Sequence, residues 1–190
     1  MARKVRKRDP WKQKQWYTLI APKMFGKQII GETPSNDPKK VIGRTIEISL
    51  RDLTGDFKKG HIKLNFKVSK VEGNNASTEF ISHEITRSYM RSQIRRRNTK
   101  IEGIVDVKTK DDKSLRVIVA GIAFKRATDI QERSVRKTIC ETIENAAKNL
   151  TLEQFIQELV LSKVASDAFN KAKKIYPLRR VEVVKAKVLT

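Results

Sequence analysis

The chain has 190 residues, 38% of them hydrophobic, enough to bury a core in one domain with tails or in two small ones. Lys and Arg number 42 against 21 Asp and Glu, a formal charge of +21; such an excess adds nothing to fold stability and points to a phosphate-rich partner. A single cysteine, Cys140, excludes an internal disulfide and a cysteine-built zinc cage, and the lack of a long apolar run or lipidation signal favours nucleic acid over a membrane surface as that partner.

Residues 1–16 carry Arg3, Lys4, Arg6, Lys7, Arg8, Lys12 and Lys14 against Asp9 alone. Such a block cannot pack on itself, so it is expected to be disordered until a polyanion screens it, and its bases are the first candidate RNA contacts. Trp11 and Trp16 are interleaved with that charge and suit stacking on bases or pinning the tail to the fold. Pinning suits Trp16, because Tyr17, Leu19 and Ile20 follow it and open a globular domain expected over 17–190. No apolar h-region follows the charges, so a secretory signal is not expected and the cytoplasm is. Pro22 and the stretch from Gly31 to Pro38 read as loop.

Strands are expected over about 41–124. Ile46, Ile48 and Leu50 alternate with polar residues, and 52–60 reads as a turn region. Gly55 and Gly60 have the spacing of a phosphate loop, but His61-Ile62 stands where Lys and Ser or Thr should be. Ile62, Leu64, Phe66 and Val68 then alternate cleanly, and Gly73-Asn74-Asn75 turns the chain into a strand ending near Ile85. His61 and His83, among polar neighbours, read as surface histidines.

From Thr86 the pattern becomes that of an Arg-rich helix over about 87–97. Arg87, Arg91 and Arg95 lie four apart on one face, Met90 and Ile94 form a stripe that docks on a core, and Arg96, Arg97 and Lys100 complete the set. Like charges at that spacing repel, and no acid lies between Glu84 and Glu102. The planar guanidinium fork matches phosphate oxygens and stacks on bases, so a nucleic-acid backbone is the natural counterpart; the bland alternative is a solvated charged face.

The strand pattern resumes at 103–109, turns at 110–113 and returns at 115–124, apolar on both faces and so expected to be central and covered on both sides. Short strands joined by hairpins around one helical insertion predict an α+β fold, an antiparallel β-barrel flanked by helices with basic N- and C-terminal segments. Helices are expected over about 133–175: Val135, Ile139, Ile143, Ala146 and Leu150 form one stripe, Thr151 with Gln154 makes a capping box for a second helix, and Ser162 to Lys174 is a third run, either separate or continuous with the second. Pro177 ends that run, and a terminal strand over about 180–189 shifts its apolar phase between Val183 and Val184, which fits a bulge. Glu141, Glu144, Glu153 and Glu158 against Lys148 make the helical pair acidic, and it is expected to face away from RNA, toward solvent or a protein neighbour.

No carboxylate pair or nucleophile with its base can be named, so no enzyme, cofactor or metal site is expected. Asp106, Asp111 and Asp112 are the only cluster that an RNA-cleaving alternative would use.

Taken in order, Trp16-Tyr17, Ala21-Pro22, Phe25, Gly31-Glu32-Thr33, Gly43-Arg44, Asp52-Leu53, Leu64 to Val71, Arg91-Ser92, Arg95-Arg96, Asp106 to Thr109, Arg116, Ala123-Phe124 and Tyr176-Pro177-Leu178 through Val183, Lys185, Lys187 and Leu189 carry a resemblance. The chain resembles the small-subunit ribosomal protein family shared by archaea and eukaryotes, called S-three-A-e or S-one-e, over nearly its whole length. The resemblance implies a β-barrel flanked by helices, and a structural place on the platform of the small subunit near where messenger RNA exits. It implies no catalytic residues. The implied partners are small-subunit ribosomal RNA and neighbouring platform ribosomal proteins, with messenger RNA a further candidate, and the implied location is the ribosome. Ending soon after Lys187, the chain looks like the archaeal form, without the longer extension of eukaryotic members. A free messenger-binding chaperone or RNA-modifying enzyme is the alternative.

Overall fold

The computed structural model describes residues 11–189. Within them run β1 (Gln15–Ile20), β2 (Ile29–Ser35), β3 (Thr45–Ser49), α1 (Leu50–Thr54), β4 (Ile62–Glu72), β5 (Asn75–Ile85), α2 (Arg87–Gln93), β6 (Lys100–Lys108), β7 (Ser114–Ala123), α3 (Asp129–Asn149), α4 (Leu152–Val160), α5 (Lys163–Ala172) and β8 (Leu178–Leu189). The strands pair in the order β2-β1-β5-β8-β7-β6, with β3 on β4 and β4 on β5. The mixed helix-and-sheet composition agrees with the expected class, but the sheet is not closed into a barrel: β2 and β6 end the order, and β1 meets β5 in parallel. The open end at β6 is protected by charge, since Lys100, Glu102, Asp106 and Lys108 are all exposed along it.

The chain forms two compact units, the first through Ile46 and again over Phe66–Phe80, the second over Glu47–Asn65 and from Ile81 onward. In the first, β1 and β2 pair antiparallel, and Tyr17 and Leu19 pack with Val41, Val68 and Ala76. Phe25 meets Phe66 edge-on at 5.5 Å between ring centres. β2 corrects the expectation of a loop. Pro34 lies opposite Trp16 in a strand paired on one side only, where a missing N–H costs no ladder bond.

In the second unit β7 lies between β6 and β8, and Val119 through Ala123 are all buried, so this stretch is covered on both faces as its sequence predicts. Phe124, expected on one of those faces, is 58% exposed. Ile118 pairs with Lys185 and Val119 with Val183, which leaves Val184 as the extra residue of the predicted bulge. α3 packs against β6, and a Cβ on Gly103 would come within 2.8 Å of Cys140 Sγ, so only glycine admits the helix at that distance. Arg136 Nε donates to the Glu102 carbonyl at 2.7 Å and holds the same approach.

Apart from the Arg-rich helix, two helix boundaries differ from expectation and a third, left open by the sequence, is decided, all for local reasons. Leu50 opens α1 rather than closing β3, because the Ser49 hydroxyl accepts from the Arg51 N–H and caps a helix there. α3 begins at Asp129, four residues early, behind a second capping box of Thr128 and Gln131, and buries Ala147 in place of Ala146. α4 keeps the predicted Thr151–Gln154 box, but α5 is a separate helix, since Ser162 sits at φ 62 and breaks the run.

Candidate nucleic-acid interface

The Arg-rich helix is shorter than its sequence suggests. α2 stops at Gln93 and Ile94 is extended, so Arg87 and Arg91 share a helical turn while Arg95, Arg96 and Arg97 do not continue their face. Two influences end it. Cations at i and i+4 without an intervening acid weaken the helix, and Thr99 is tied into the sheet, its carbonyl accepting from the Ala123 N–H at 2.9 Å and its hydroxyl from the Ala127 N–H at 3.0 Å. Between these limits the chain turns tightly: the Asn98 N–H donates to the Arg95 carbonyl at 3.2 Å, and Arg97 takes a left-handed φ of 69. Met90 is buried and anchors α2, while Ile94 is only partly covered.

The turn brings Arg97 beside a loop that the sequence alone does not single out. Arg97, Phe124, Lys125 and Arg126 line one open cavity of about 710 Å³. The loop is held by the Tyr176 hydroxyl, which donates to the Arg126 carbonyl at 3.1 Å, and by the Phe124 N–H, which donates to the Pro177 carbonyl at 3.3 Å. An exposed ring among cations is the combination that meets a nucleic-acid strand by stacking and by phosphate contact at once. Phe-Lys-Arg directly after an apolar strand was the available signal, hidden because Phe124 continued the strand's apolar pattern.

Arg87, Arg91, Arg95, Arg96 and Arg97 are exposed, and among the described residues none has a carboxylate partner. Lys100 does not join them, for it stands on β6 paired with Glu102. In the first unit Lys12 is exposed and Lys14 places its ammonium 3.7 Å from the centre of the Trp11 ring. Trp16 is largely exposed on β1. Arg3, Lys4, Arg6, Lys7 and Arg8 lie outside the described residues.

The acidic candidates have structural employment. Asp106 forks onto Arg116 through two bonds of 2.7 Å, and that hydrogen bonding holds its carboxyl below the usual range. Asp111 accepts from the Leu152 N–H at 2.9 Å, satisfying a free donor at the start of α4, and Asp112 forms the hairpin turn at φ 55. They do not converge on one point. The histidines correct the surface assignment: His83 is 2% exposed, and His61 is half-buried, its ring stacked on Tyr89. On the helical pair Glu141 and Glu153 are exposed, Glu144 and Glu158 partly so. Among the described residues no helix is long and apolar enough to cross a membrane.

A model of the Ribosomal S3Ae family matches residues 2–190. Small ribosomal subunit protein eS1 of Methanothermobacter thermautotrophicus is 43% identical over 188 residues, 99% of this chain and 96% of the relative. The protein of that name from Desulfurococcus amylolyticus is 44% identical over 182 residues, 96% of this chain and 85% of the relative. That from Sulfurisphaera tokodaii is 42% identical over 189 residues, 100% of this chain and 98% of the relative.

Proposed function

The chain belongs to the Ribosomal S3Ae family, and from that premise we propose that it is a structural component of the small ribosomal subunit, bound to ribosomal RNA and acting in translation rather than as an enzyme. One observation carries the physical side of this reading: five exposed arginines between Arg87 and Arg97 have no carboxylate to neutralise them among the described residues. Buried against ribosomal RNA they would meet phosphate oxygens bidentately, and Phe124 with Arg97, Lys125 and Arg126 would meet an unpaired base beside the backbone. Lys12, Lys14 and the bases from Arg3 to Arg8 would extend the contact by threading between RNA helices. The platform near the messenger RNA exit is the place the family resemblance implies. There the exposed acids of α3 and α4 suit a neighbouring ribosomal protein better than RNA, and messenger RNA passing the platform is a further candidate ligand.

Sedimentation decides the assignment. In a sucrose gradient of cell extract at moderate salt the chain is expected in the small-subunit peak at one copy per particle. Recovery at the top of the gradient, or in substoichiometric amounts across many fractions, would instead identify a free RNA-binding protein.

A further inference from the structure

A second candidate contact lies in the second unit, where Tyr89 of α2 meets residues from outside the Arg-rich segment. The His61 and Tyr89 rings stack with centres 3.8 Å apart and planes 15° from parallel. They line an open groove of about 490 Å³, with Phe169 also on its wall. Its cationic rim is made by Lys58, Lys59, Arg179 and Arg180, against Glu182 as the one lining carboxylate.

We propose that this groove takes a single unstacked nucleotide of single-stranded RNA, its base laid on the His61–Tyr89 pair and its phosphate held by Arg179, Arg180 and Lys58. The proposal rests on the RNA-binding function above and adds a second stacking contact, on a built pair of rings, to the one at Phe124. A stacked pair of rings held in place is a platform that a third flat ring extends at low ordering cost, and bases of RNA loops and ends are read in this way. The platform is fixed from several sides. The Thr86 N–H donates to the His61 carbonyl at 2.9 Å, tying the turn just before β4, which carries one ring, to the start of the helix that carries the other. Arg180 donates to the Tyr89 hydroxyl, and Glu182 stands 3.5 Å from the same guanidinium. Burial holds the His61 imidazole below its ordinary pKa, so near neutral pH it offers an uncharged face. Lys59 is partly engaged, 3.9 Å from Asp56, which leaves Lys58 and Arg179 freer to meet a phosphate. The volume lies within the ~300–1,000 Å³ of small-ligand sites, suiting one nucleotide and not a paired helix.

The test uses the purified full chain, a fluorescently labelled adenosine pentanucleotide and a fully paired RNA hairpin, with anisotropy followed through a salt series. His61→Ala with Tyr89→Ala is expected to weaken pentanucleotide binding about tenfold, the scale of one base stack removed, while leaving hairpin binding and both salt slopes as they were. His61→Phe, which keeps a ring, is expected to retain pentanucleotide affinity. Arg91, Arg95 and Arg96 changed together to Ala should give the opposite pattern, a flatter slope on the hairpin. Equal losses on both RNAs, or none on the pentanucleotide, would overturn the groove and leave the RNA-binding function standing; a wild-type chain that binds neither RNA would overturn both. Tyr89 ring-proton resonances that shift with an acidic peptide but not with the pentanucleotide would likewise overturn it, assigning the groove to a protein. Should the double variant fail to fold, the Tyr89 and His61 ring-proton resonances of the wild type decide: they shift when the pentanucleotide is added, and unshifted resonances reject the proposal.

Discussion

His83 shows how far one side chain departs from what its neighbours in sequence suggest. Flanked by Ser82 and Glu84, it reads as a surface residue, yet Ser82 and His83 are both buried, so β5 is covered on both faces there. Asn65 Nδ2 donates to the Ser82 hydroxyl at 3.0 Å and satisfies one polar group, whereas His83 Nδ1 has no hydrogen-bond partner among the described residues. Burial, aided by His61 and opposed by Glu84, lowers the His83 pKa to about 4. In the unfolded chain it returns to about 6.5, so between these values the unfolded state binds the extra proton and folding stability falls as the pH falls. The contribution is complete above about pH 6.5 and is forfeited, about 3 kcal/mol in all, once the pH has dropped through the folded value. Urea unfolding of the full chain at steps from pH 7 to pH 4 should show this decline, and His83→Gln should flatten it. A slope unchanged by the substitution would assign the acid sensitivity to carboxylates.

Elements succeed or fail here according to whether their pattern is set by burial on one side. β4 was legible because Ile62, Leu64, Phe66 and Val68 are all buried and their alternates are not, and the bulge at Val184 was legible because it shifts that same alternation. β2 was not, since Gly31 and Pro34 are turn formers wherever an edge strand does not excuse them. α2 was overextended because its end is imposed by bonds from Thr99 to Ala123 and Ala127, which are distant in sequence. The α3–β6 contact gives a sharp test at this scale. Gly103→Ala should cost about 1–3 kcal/mol through the clash with Cys140 Sγ, and Cys140→Ala in the same chain should recover part of it, a coupling that a double-mutant cycle of thermal midpoints measures. Thr151→Ala should cost about 1 kcal/mol by removing a reciprocal cap from α4, read in the same way. Replacing Arg91, Arg95 and Arg96 together by Ala should lower the slope of log K against log salt for ribosomal RNA by about 2, near 0.7 for each phosphate no longer neutralised. An unchanged slope would take these arginines out of the interface.

At the scale of the whole molecule, composition foretold the kind of partner and left the points of contact to tertiary structure. The +21 charge asked for a polyanion, and the family match agrees. The placing of Lys125, Arg126 and Phe124 beside Arg97, and of His61 upon Tyr89, depends on pairings between distant segments that no local pattern encodes. One of those pairings bears on how the protein is made. β8 slots between β5 and β7, both synthesised before it, so until residues 178–189 emerge each of those strands presents an unsatisfied edge along the gap. Nascent chains in that interval are the species most prone to pair with one another, and a lengthened pause in translation ahead of Leu178 should raise their yield of aggregates.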